Sequence, residues 1–544
     1  MLNYNSSMDK VSLVPPTLDE AASFTPQQIV EHFQSHAQRI ESYAQQIEAL
    51  QYRIEWFNRQ IFGQKSERRL PAEILAVQGS LGQAFEALAE GKPPEKKRWV
   101  TAHERAQKLK SPTAEEDESA LFFDQEKVPV RTIEVENPEI VGLSNDQYEV
   151  IGEKVTHRLA QQPGSYVVLK FVRPVIKRLD TQAISCPPAP AGVIEGSRAD
   201  VSFIAGLLLD KFAYHLPLYR QHQRLIDAGF KLSRPWLTQL VQLAAGLLEP
   251  IFEAQLASIR ASRVKAMDET PIKAGQAGPG KLKQAYFWPV YGELDEICFP
   301  FFTTRAAEHV YKVLGLTQAQ GAVLLSDGYT AYKSYAEKTG VTHAQCWSHT
   351  RRGIFEAQAV EPEAAAEGLD IIGKLYAVEE QIREQKLTGN KKRDYRLEHA
   401  KPAVERFFEW IDEQFARQGL LPSNPLTKAL AYARERRMGL EVYLTDPDVQ
   451  IDTNHLERAL RSIPMGRKSW LFCWTEVGAK HVGIVQSLIM TCRLHNIDPY
   501  TYLVDVLQRV GMHPAAGIAQ LTPRLWKQYF AEKPLRSDLY ARRE

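Results

Sequence analysis

Two short apolar runs in the chain end in carboxylates, an arrangement that could support phosphate chemistry. Asp268 and Glu269 follow "VKAM", and Asp327 follows "GAVLLS". Two aspartates within a few ångströms of each other repel strongly unless a cation neutralises them. Oxygen-rich carboxylate sites suit Mg²⁺ or Mn²⁺, and two such ions can flank a phosphate undergoing in-line displacement. Taken alone, Asp268 and Glu269 are also typical of a strand that runs into a polar turn.

A third acid, Glu457, lies in "DTNHLERALRSIPMGRKSWLF". A carboxylate in the first turns of a helix is favoured by the helix dipole, and Arg461 is expected on the same helical face. In isolation, Glu457 is more typical of a solvated, ion-paired helix face. The segment is also basic, and four of its cations suit the DNA backbone next to a scissile phosphate: Arg458, Arg461, Arg467 and Lys468.

The order of elements from residue 263 predicts how the first two acids meet. Three strands, "RVKAMDETPIKA", "KQAYFWPVYGEL" and "EICFPFFTT", precede the helical "RAAEHVYKVLGL" and a fourth strand that ends at Asp327. This layout predicts an RNase H-like α/β catalytic core with a mixed five-stranded sheet. The first and fourth strands are neighbours in such a sheet. Asp268 and Asp327 would then lie side by side.

The distance along the chain from Asp327 to Glu457 is longer than one strand and one helix require. The intervening residues 361–450 are almost wholly helical in pattern, which predicts an all-helical insertion. The core is then expected in two parts, followed by a C-terminal tail: 263–360, 451–510 and 511–544.

The segments before the core differ in composition. Residues 26–62 show an a/d heptad pattern that predicts a coiled-coil helix, the alternative being an amphipathic helix packed against its own chain. Residues 90–125 are rich in Pro, Lys and Glu and are typical of a linker. Residues 127–190 are rich in Val, Ile and Tyr and predict a small β-rich domain.

Residues 199–262 predict a helical DNA-binding segment. One helix is expected to end near Gly229, and the next to begin after Ser233. Two helices joined by a short Gly-containing turn resemble a helix-turn-helix, and Arg220 and Arg224 add positive charge. The alternative is an ordinary helical hairpin, since most of these bind nothing.

The overall composition excludes several classes of protein. The chain has 544 residues, 44% hydrophobic and 24% charged, which is typical of a soluble multidomain α+β protein. The net charge of +1 requires that any DNA binding come from local patches. Five scattered cysteines point to a reducing compartment. Without a signal peptide or a sufficiently long apolar stretch, a cytoplasmic protein with no membrane partner is expected.

Four motifs, taken in order, resemble the transposases of the insertion-sequence 66 family of bacterial mobile elements: "MDET", "LLSDGYTAY", "HAQCWSHTRRGIFEA" and "NHLERALRSIPMGRKSWLF". The segments "DKFAYHLPLYRQHQRLIDAGFKLSR" and "NIDPYTYLVDVLQRVGMHPAAGIAQL" are also similar to that family, as is the heptad helix that ends in "FGQKSER". The similarities cover most of the chain, and their order is specific, whereas no single motif would suffice.

The resemblance implies a DDE transposase with an RNase H-like core and a helical insertion before the glutamate. Its catalytic and metal-binding triad falls on Asp268, Asp327 and Glu457, which would hold two Mg²⁺ or Mn²⁺ ions. One ion would activate water or a 3′-hydroxyl, and the other would stabilise the leaving oxygen. Glu269 is expected to support Asp268, for example by accepting hydrogen bonds from the backbone or an arginine.

The family's Cys-x-x-His element falls on Cys346 and His349, followed by Arg351 and Arg352 as candidates for DNA contact. From the residues alone, Cys346 and His349 could be half of a zinc site, but the sequence offers no second half. A structural role and a histidine near the scissile phosphate are the alternatives.

One region departs from the family pattern. Relatives usually carry a small Cys-rich, zinc-finger-like module, but residues 127–190 contain only Cys186. A structural zinc site needs about four ligands, so no zinc is expected here.

The expected partners are double-stranded DNA, as transposon ends and as target, and a second copy of the chain bound through residues 26–62. The resemblance also suggests small accessory proteins and a location at the bacterial nucleoid. Two other functions stay open. One is a DNA-binding accessory protein that has lost catalysis, and the other is a non-transposing nuclease of the same fold.

Overall fold

The structure is a computed structural model that describes residues 121–540, except for 127, 136, 138–139, 141–143, 145–146, 163, 279–280 and 418–420. The predicted coiled coil at 26–62 lies outside the described residues, as does most of the predicted linker at 90–125. The described part of the chain is a mixed α/β protein with three sheets.

The region predicted to be β-rich forms the first sheet. Its strands are β1 (Val130–Glu134), β2 (Tyr148–Gln162), β3 (Ser165–Arg178) and β4 (Ile184–Ser185). The long strands β2 and β3 form an antiparallel hairpin, and β1 pairs with β3 in parallel. Their Val, Ile and Tyr content fits the pleated, half-buried surface that strands provide.

Three helices follow this sheet: α1 (Val201–Phe212), α2 (Leu218–Asp227) and α3 (Arg234–Ala261). The turn between α2 and α3 contains Gly229 at φ +94°, a conformation that glycine adopts at little cost, and α3 begins after Ser233 as the sequence predicted. Within the described residues, α3 is the one helix long and apolar enough to cross a membrane. It is mostly buried inside the protein, as a core helix is.

Eight further strands follow in chain order: β5 (Val264–Met267), β6 (Thr270–Gly278), β7 (Lys281–Phe287), β8 (Val290–Gly292), β9 (Glu296–Cys298), β10 (Phe301–Phe302), β11 (Val323–Ser326) and β12 (Thr342–Gln345). One five-stranded sheet has the order β12-β11-β5-β8-β9. In it β5, β11 and β12 run parallel, while β8 and β9 pair antiparallel. The predicted neighbours, the first and fourth strands of the core, are confirmed as β5 and β11.

The prediction of three long strands before the helix was wrong in one respect, because each is two strands. One strand from each pair goes into a separate three-stranded sheet. The order of that sheet is β10-β7-β6. Pro289 and Pro300 lie at two of the breaks, and proline cannot donate to a sheet ladder. Their carbonyls accept from the amides of Asp268 (3.2 Å) and Trp288 (2.8 Å), so the chain bends without losing its pairing.

The helices of the core and of the predicted insertion follow in chain order: α4 (Glu308–Leu314), α5 (Thr330–Thr339), α6 (Trp347–Ala357), α7 (Pro362–Glu384), α8 (Gly389–Tyr395), α9 (Lys401–Ala416), α10 (Pro425–Glu435), α11 (Arg437–Thr445), α12 (Asn454–Leu460), α13 (Ser462–Trp470), α14 (Glu476–Leu494), α15 (Pro499–Arg509) and α16 (Pro523–Tyr529). A π-helical turn, Arg396–Ala400, separates α8 from α9.

A buried arginine holds the insertion together. Arg396 is fully buried, and its guanidinium donates to both carboxylate oxygens of Glu379, at 2.7 and 2.9 Å. It also donates to the carbonyls of Tyr443 (2.7 Å) and Val449 (3.0 Å). Pairing within this network offsets the cost of burying the charge. The network joins α7 to α11 and to the chain that leads towards α12.

The segment predicted to be a C-terminal tail packs against the rest of the protein. Trp526 Nε1 and the amide of Leu535 donate to the buried carboxylate of Asp505, at 2.9 and 2.6 Å. Leu539 is buried against Phe171 of the first sheet. A single continuous hydrophobic core runs from α1 and α3 through the five-stranded sheet into the helical insertion.

Candidate active site

The parallel strands of the five-stranded sheet bring three functional candidates to one edge. Asp268 follows β5, Asp327 follows β11 and Cys346 follows β12. Ala266 pairs with Leu325, and Ser326 pairs with Gln345, so the three strands end level with one another. The carboxyl ends of parallel strands are where open α/β sheets bind ligands.

Asp268 is largely buried at this edge. Its Oδ1 accepts a hydrogen bond of 2.8 Å from the amide of Glu269. Burial, helped by the negative charges of Glu269 and Asp327, raises the pKa of Asp268 to about 7, against the opposing effects of the Glu269 amide hydrogen bond and of His349. A raised pKa is the behaviour expected of a buried carboxyl that lies beside other acids.

Glu269 is held by two side chains from other elements. Only 4% of its side chain is exposed, and it accepts from Arg305 Nε (2.8 Å) and the Tyr332 hydroxyl (2.7 Å). Arg305 lies over the ring of Tyr329 at 4.4 Å, and the Tyr329 amide donates to Asp327 Oδ1 at 2.9 Å. The expected acceptance from an arginine is thus present, and the same network joins the two strand ends.

Cys346 links β12 to the helix that carries the third acid. Its buried sulfur accepts from the amide of Thr453 (3.3 Å) and lies 3.2 Å from the Thr453 hydroxyl. The Thr453 carbonyl in turn accepts from the amide of Glu457 at 2.9 Å. The sulfur therefore positions the start of α12 against the sheet.

His349 lies in the first turn of α6, among the three acids. The pKa of His349 is raised to about 9, chiefly by its interaction with the Cys346 sulfur and also by the charges of Asp327 and Glu457, against the effect of burial. Burial alone would raise the pKa of the Cys346 thiol, but its contacts, with His349 foremost, lower it overall. His349 Nδ1 is buried without a hydrogen-bond partner among the described residues.

Glu457 lies on the first turn of α12, with about a third of its side chain exposed. Its partner is Arg352, whose Nη2 lies 3.9 Å from Glu457 Oε2. Arg461 follows at the C-cap of α12 with helical backbone angles, and its amide donates to the Glu457 carbonyl at 3.0 Å.

The three acids fit a divalent cation by donor chemistry. Asp268, Asp327 and Glu457 offer the hard oxygen ligands that Mg²⁺ and Mn²⁺ prefer. As the side chains are placed, no three Asp, Glu, His or Cys residues within the described part of the chain are grouped closely enough to hold a metal ion. The structure therefore brings the acids to one region without forming a metal cage.

The sequence did not reveal a contact from the helical insertion to the strand end that carries Asp327. Arg436 Nη2 donates to the carbonyl of Gly328 at 3.3 Å, and its guanidinium lies 3.9 Å over the ring of Tyr432. A Cβ at Gly328 would lie 2.6 Å from both Arg436 and Tyr432. The glycine of "SDGY" was the one sign of this contact in the sequence. Its partners, Arg436 and Tyr432, lie about a hundred residues later in the chain.

The predicted DNA contacts fall into two groups. Five are exposed and form no ion pair within the described part of the chain: Arg220, Arg351, Arg458, Arg461 and Lys468. The others already have partners within the chain. Arg352 pairs with Glu457, Arg467 donates to the Pro271 carbonyl, and Arg224 pairs with Asp210 and donates to the Tyr166 hydroxyl at 2.8 Å.

Comparison with known families assigns the chain. The profile described as "Transposase IS66 family" matches residues 196–481, and that of the "IS66 C-terminal element" matches residues 487–524. The chain belongs to the IS66 transposase family. The first match includes all three acids of the candidate site. The residues assembled at the sheet edge thus lie in the part of the chain that IS66 transposases share.

Relatives of this IS66 transposase occur in Sinorhizobium fredii. Uncharacterized protein y4hP is 30% identical over 405 residues, covering 70% of this chain and 71% of the relative. Uncharacterized protein y4jD is 28% identical over 396 residues, covering 69% and 76%, respectively. Neither name states an activity.

Proposed function

We propose that the protein is a DNA transposase that cleaves the ends of an insertion sequence and joins the freed 3′-hydroxyl to target DNA. The observation that carries this proposal is the arrangement of Asp268 and Asp327 at the ends of neighbouring parallel strands, in a chain of the IS66 family. The electrostatic coupling of His349 to both aspartates and to Glu457 supports the inclusion of the third acid in this site.

We assign an RNase H-like core to the five-stranded sheet. The strand order β12-β11-β5-β8-β9 supports this assignment. In it β5, β8 and β9 are successively antiparallel, and β11 and β12 run parallel to β5. The helices of residues 361–450 would be an insertion between the second and third catalytic acids. Such an insertion offers a large surface for holding DNA near the sheet edge.

In this proposal Asp268, Asp327 and Glu457 hold Mg²⁺ or Mn²⁺, which when bound would activate the nucleophile and stabilise the leaving oxygen. The chain's own residues orient these acids. Glu269, gripped by Arg305 and Tyr332, keeps the end of β5 rigid. Cys346 keeps the start of α12, the helix that carries Glu457, against the sheet through Thr453.

His349 has a separate role in the proposed site. Because its pKa is about 9, it holds a proton at neutral pH and is a cation among carboxylates. A cation there would attract a scissile phosphate that the neighbouring carboxylates would otherwise repel. The exposed arginines and Lys468 on α6, α12 and α13 would bind the flanking backbone.

Two partners complete the proposal. A second copy of the chain would associate through residues 26–62, since synapsis of two transposon ends requires an oligomer. Small accessory proteins would assist the reaction in the bacterial cytoplasm. Both follow from the heptad pattern and the family rather than from the described structure.

The test is a strand cleavage and joining assay on duplex DNA carrying a transposon end and a supercoiled target plasmid. We expect Mg²⁺-dependent cleavage that leaves a 3′-hydroxyl, followed by covalent joining to the plasmid, and loss of both with EDTA. Cleavage without joining would indicate a non-transposing nuclease. Binding of the end without cleavage would indicate an accessory protein.

A further inference from the structure

The short loop that follows α13, residues 471–474, has an unusual backbone. Leu471 has φ +63° and ψ −51°, and the amide of Phe472 donates to the carbonyl of Trp470 at 2.7 Å. This three-residue turn, with a positive φ at its centre, is rare and strained for any residue that has a side chain. Strained residues of this kind are concentrated at active sites and ligand clamps.

The strain places apolar side chains in solvent. The Leu471 residue is 66% exposed and Trp474 is 43% exposed, with Met465 of α13 also exposed. The ring of Phe472 lies against that of Trp474, with centroids 5.0 Å apart. Clustered exposed apolar groups mark interaction sites.

The 471–474 loop is fixed to the strand that leaves the candidate active site. The Cys473 amide donates to the Lys273 carbonyl at 3.0 Å, and the Gly275 amide donates to the Cys473 carbonyl at 3.3 Å. Both partners are on β6, which begins two residues after Asp268. At about 3.3 Å per residue, the loop lies roughly 20 Å along the chain path from that aspartate.

The charge around the 471–474 loop indicates which class of ligand it would bind. Residues 458–475 contain four Lys or Arg and no Asp or Glu, and Glu476, the next residue, is paired with Lys283 at 3.4 Å. Lys468 and, on the neighbouring strand, Lys273 are exposed beside the loop. A ligand that is anionic and also offers flat apolar faces satisfies both features, and DNA with an unstacked base is such a ligand.

We propose that Leu471 and Trp474 insert into the DNA substrate, Leu471 as a wedge between base pairs and Trp474 as a stacking surface for the displaced base. The inference rests on the proposed function and adds a deformation of DNA beside the cleavage site. Apolar side chains that enter a base step unstack it and kink the duplex. The rigid attachment to β6 holds the wedge at a fixed distance from the carboxylates.

The test uses two duplexes with the transposon end, one fully paired and one with mismatches next to the cleavage site, each carrying 2-aminopurine there. Leu471→Gly and Trp474→Ala are expected to cleave the paired duplex about tenfold more slowly. Both should lose the fluorescence increase that the wild type shows on binding. On the mismatched duplex they should match the wild type, because the base is already unpaired.

Three controls separate the wedge from a folding defect. Leu471→Gly removes the strained side chain, so its melting temperature should not fall. Trp474→Phe should retain most of the activity, and Leu316→Ala, which truncates another exposed leucine, should retain all of it. Equal cleavage of the paired duplex by wild type, Leu471→Gly and Trp474→Ala would overturn the wedge, as would variants equally slow on both duplexes. A wild-type protein that cleaves neither duplex would overturn the proposed function itself.

Discussion

At the scale of single residues, Gly328 determines how closely the helical insertion approaches the strand end that carries Asp327. Its lack of a Cβ leaves room for Arg436 and Tyr432, and Arg436 donates to its carbonyl. The insertion therefore helps to fix the backbone next to a proposed catalytic acid. Small displacements of such a group reduce rates strongly.

We therefore expect Gly328→Ala to lower the rate of strand cleavage by roughly 10- to 100-fold while DNA affinity changes little, because the added methyl displaces Arg436 and Tyr432. Gly373→Ala in α7 is the matched control, since a Cβ there meets nothing within 4 Å. Single-turnover cleavage rates and gel-shift affinities measure the two effects. Equal rates for the two alanine variants would show that the contact does not position Asp327.

Some residues of the candidate site could be predicted from the sequence, and others could not. Asp268 and Asp327 could be placed together because both end apolar strands, and strand order follows from the pattern of elements. The partners of Glu269 could not be predicted, because Arg305 and Tyr332 lie 36 and 63 residues after it in the chain. Such contacts depend on side-chain packing in three dimensions, which no local pattern encodes.

At the scale of elements, the sequence predicted strand neighbours better than strand lengths. The strand-like sequence pattern continues across the breaks at Asp268, Trp288 and Phe299. Each pair of strands was therefore predicted as one strand. The breaks arise where Pro289 and Pro300 withdraw from the ladder and the chain passes into a second sheet. The break after β5 places Asp268 beyond the end of the strand, at the edge of the sheet.

Helix α14 contains a buried histidine that makes stability depend on pH. Burial, together with the positive charges of Lys211 and Lys480, lowers the pKa of His481 to about 4 against the opposing charge of Glu249. The unfolded chain, with an ordinary pKa near 6.5, therefore binds a proton that the folded chain excludes. The stability contributed by neutral His481 is present above about pH 6.5 and is lost as the pH falls towards 4.

We expect His481→Gln to reduce the loss of unfolding free energy between pH 7 and pH 5 by up to about 2 kcal/mol relative to the wild type. Urea unfolding at the two pH values measures this difference. His399→Gln, which replaces an exposed histidine, should behave like the wild type. An unchanged pH dependence in His481→Gln would show that this histidine is not buried in its neutral form.

At the scale of the whole molecule, an almost neutral chain must bind a polyanion through local charge. The exposed cations of α12 and α13 form such a patch beside the candidate site, whereas Arg406 of the insertion is ion-paired with Glu413 and Glu367. Each phosphate contact that is lost should reduce the salt dependence of binding by a fixed amount.

Lys468→Ala and Arg461→Ala should each weaken DNA binding and reduce the slope of log K against log salt concentration by about 0.9. Arg406→Ala should leave the slope unchanged. Fluorescence anisotropy across a salt series measures the slopes. If Arg406→Ala reduced the slope as much as Lys468→Ala, the DNA path would cross the insertion rather than α12 and α13.

The most direct measurement of the central claim is strand cleavage by Asp268→Asn, Asp327→Asn and Glu457→Gln in Mg²⁺. We predict that each variant binds the transposon end as the wild type does and cleaves it about a thousandfold more slowly or not at all, since each removes a metal-binding carboxylate. Glu356→Gln, at an exposed acid of α6, should cleave normally. Wild-type cleavage by any one of the three variants would contradict the assignment of these acids as the catalytic triad.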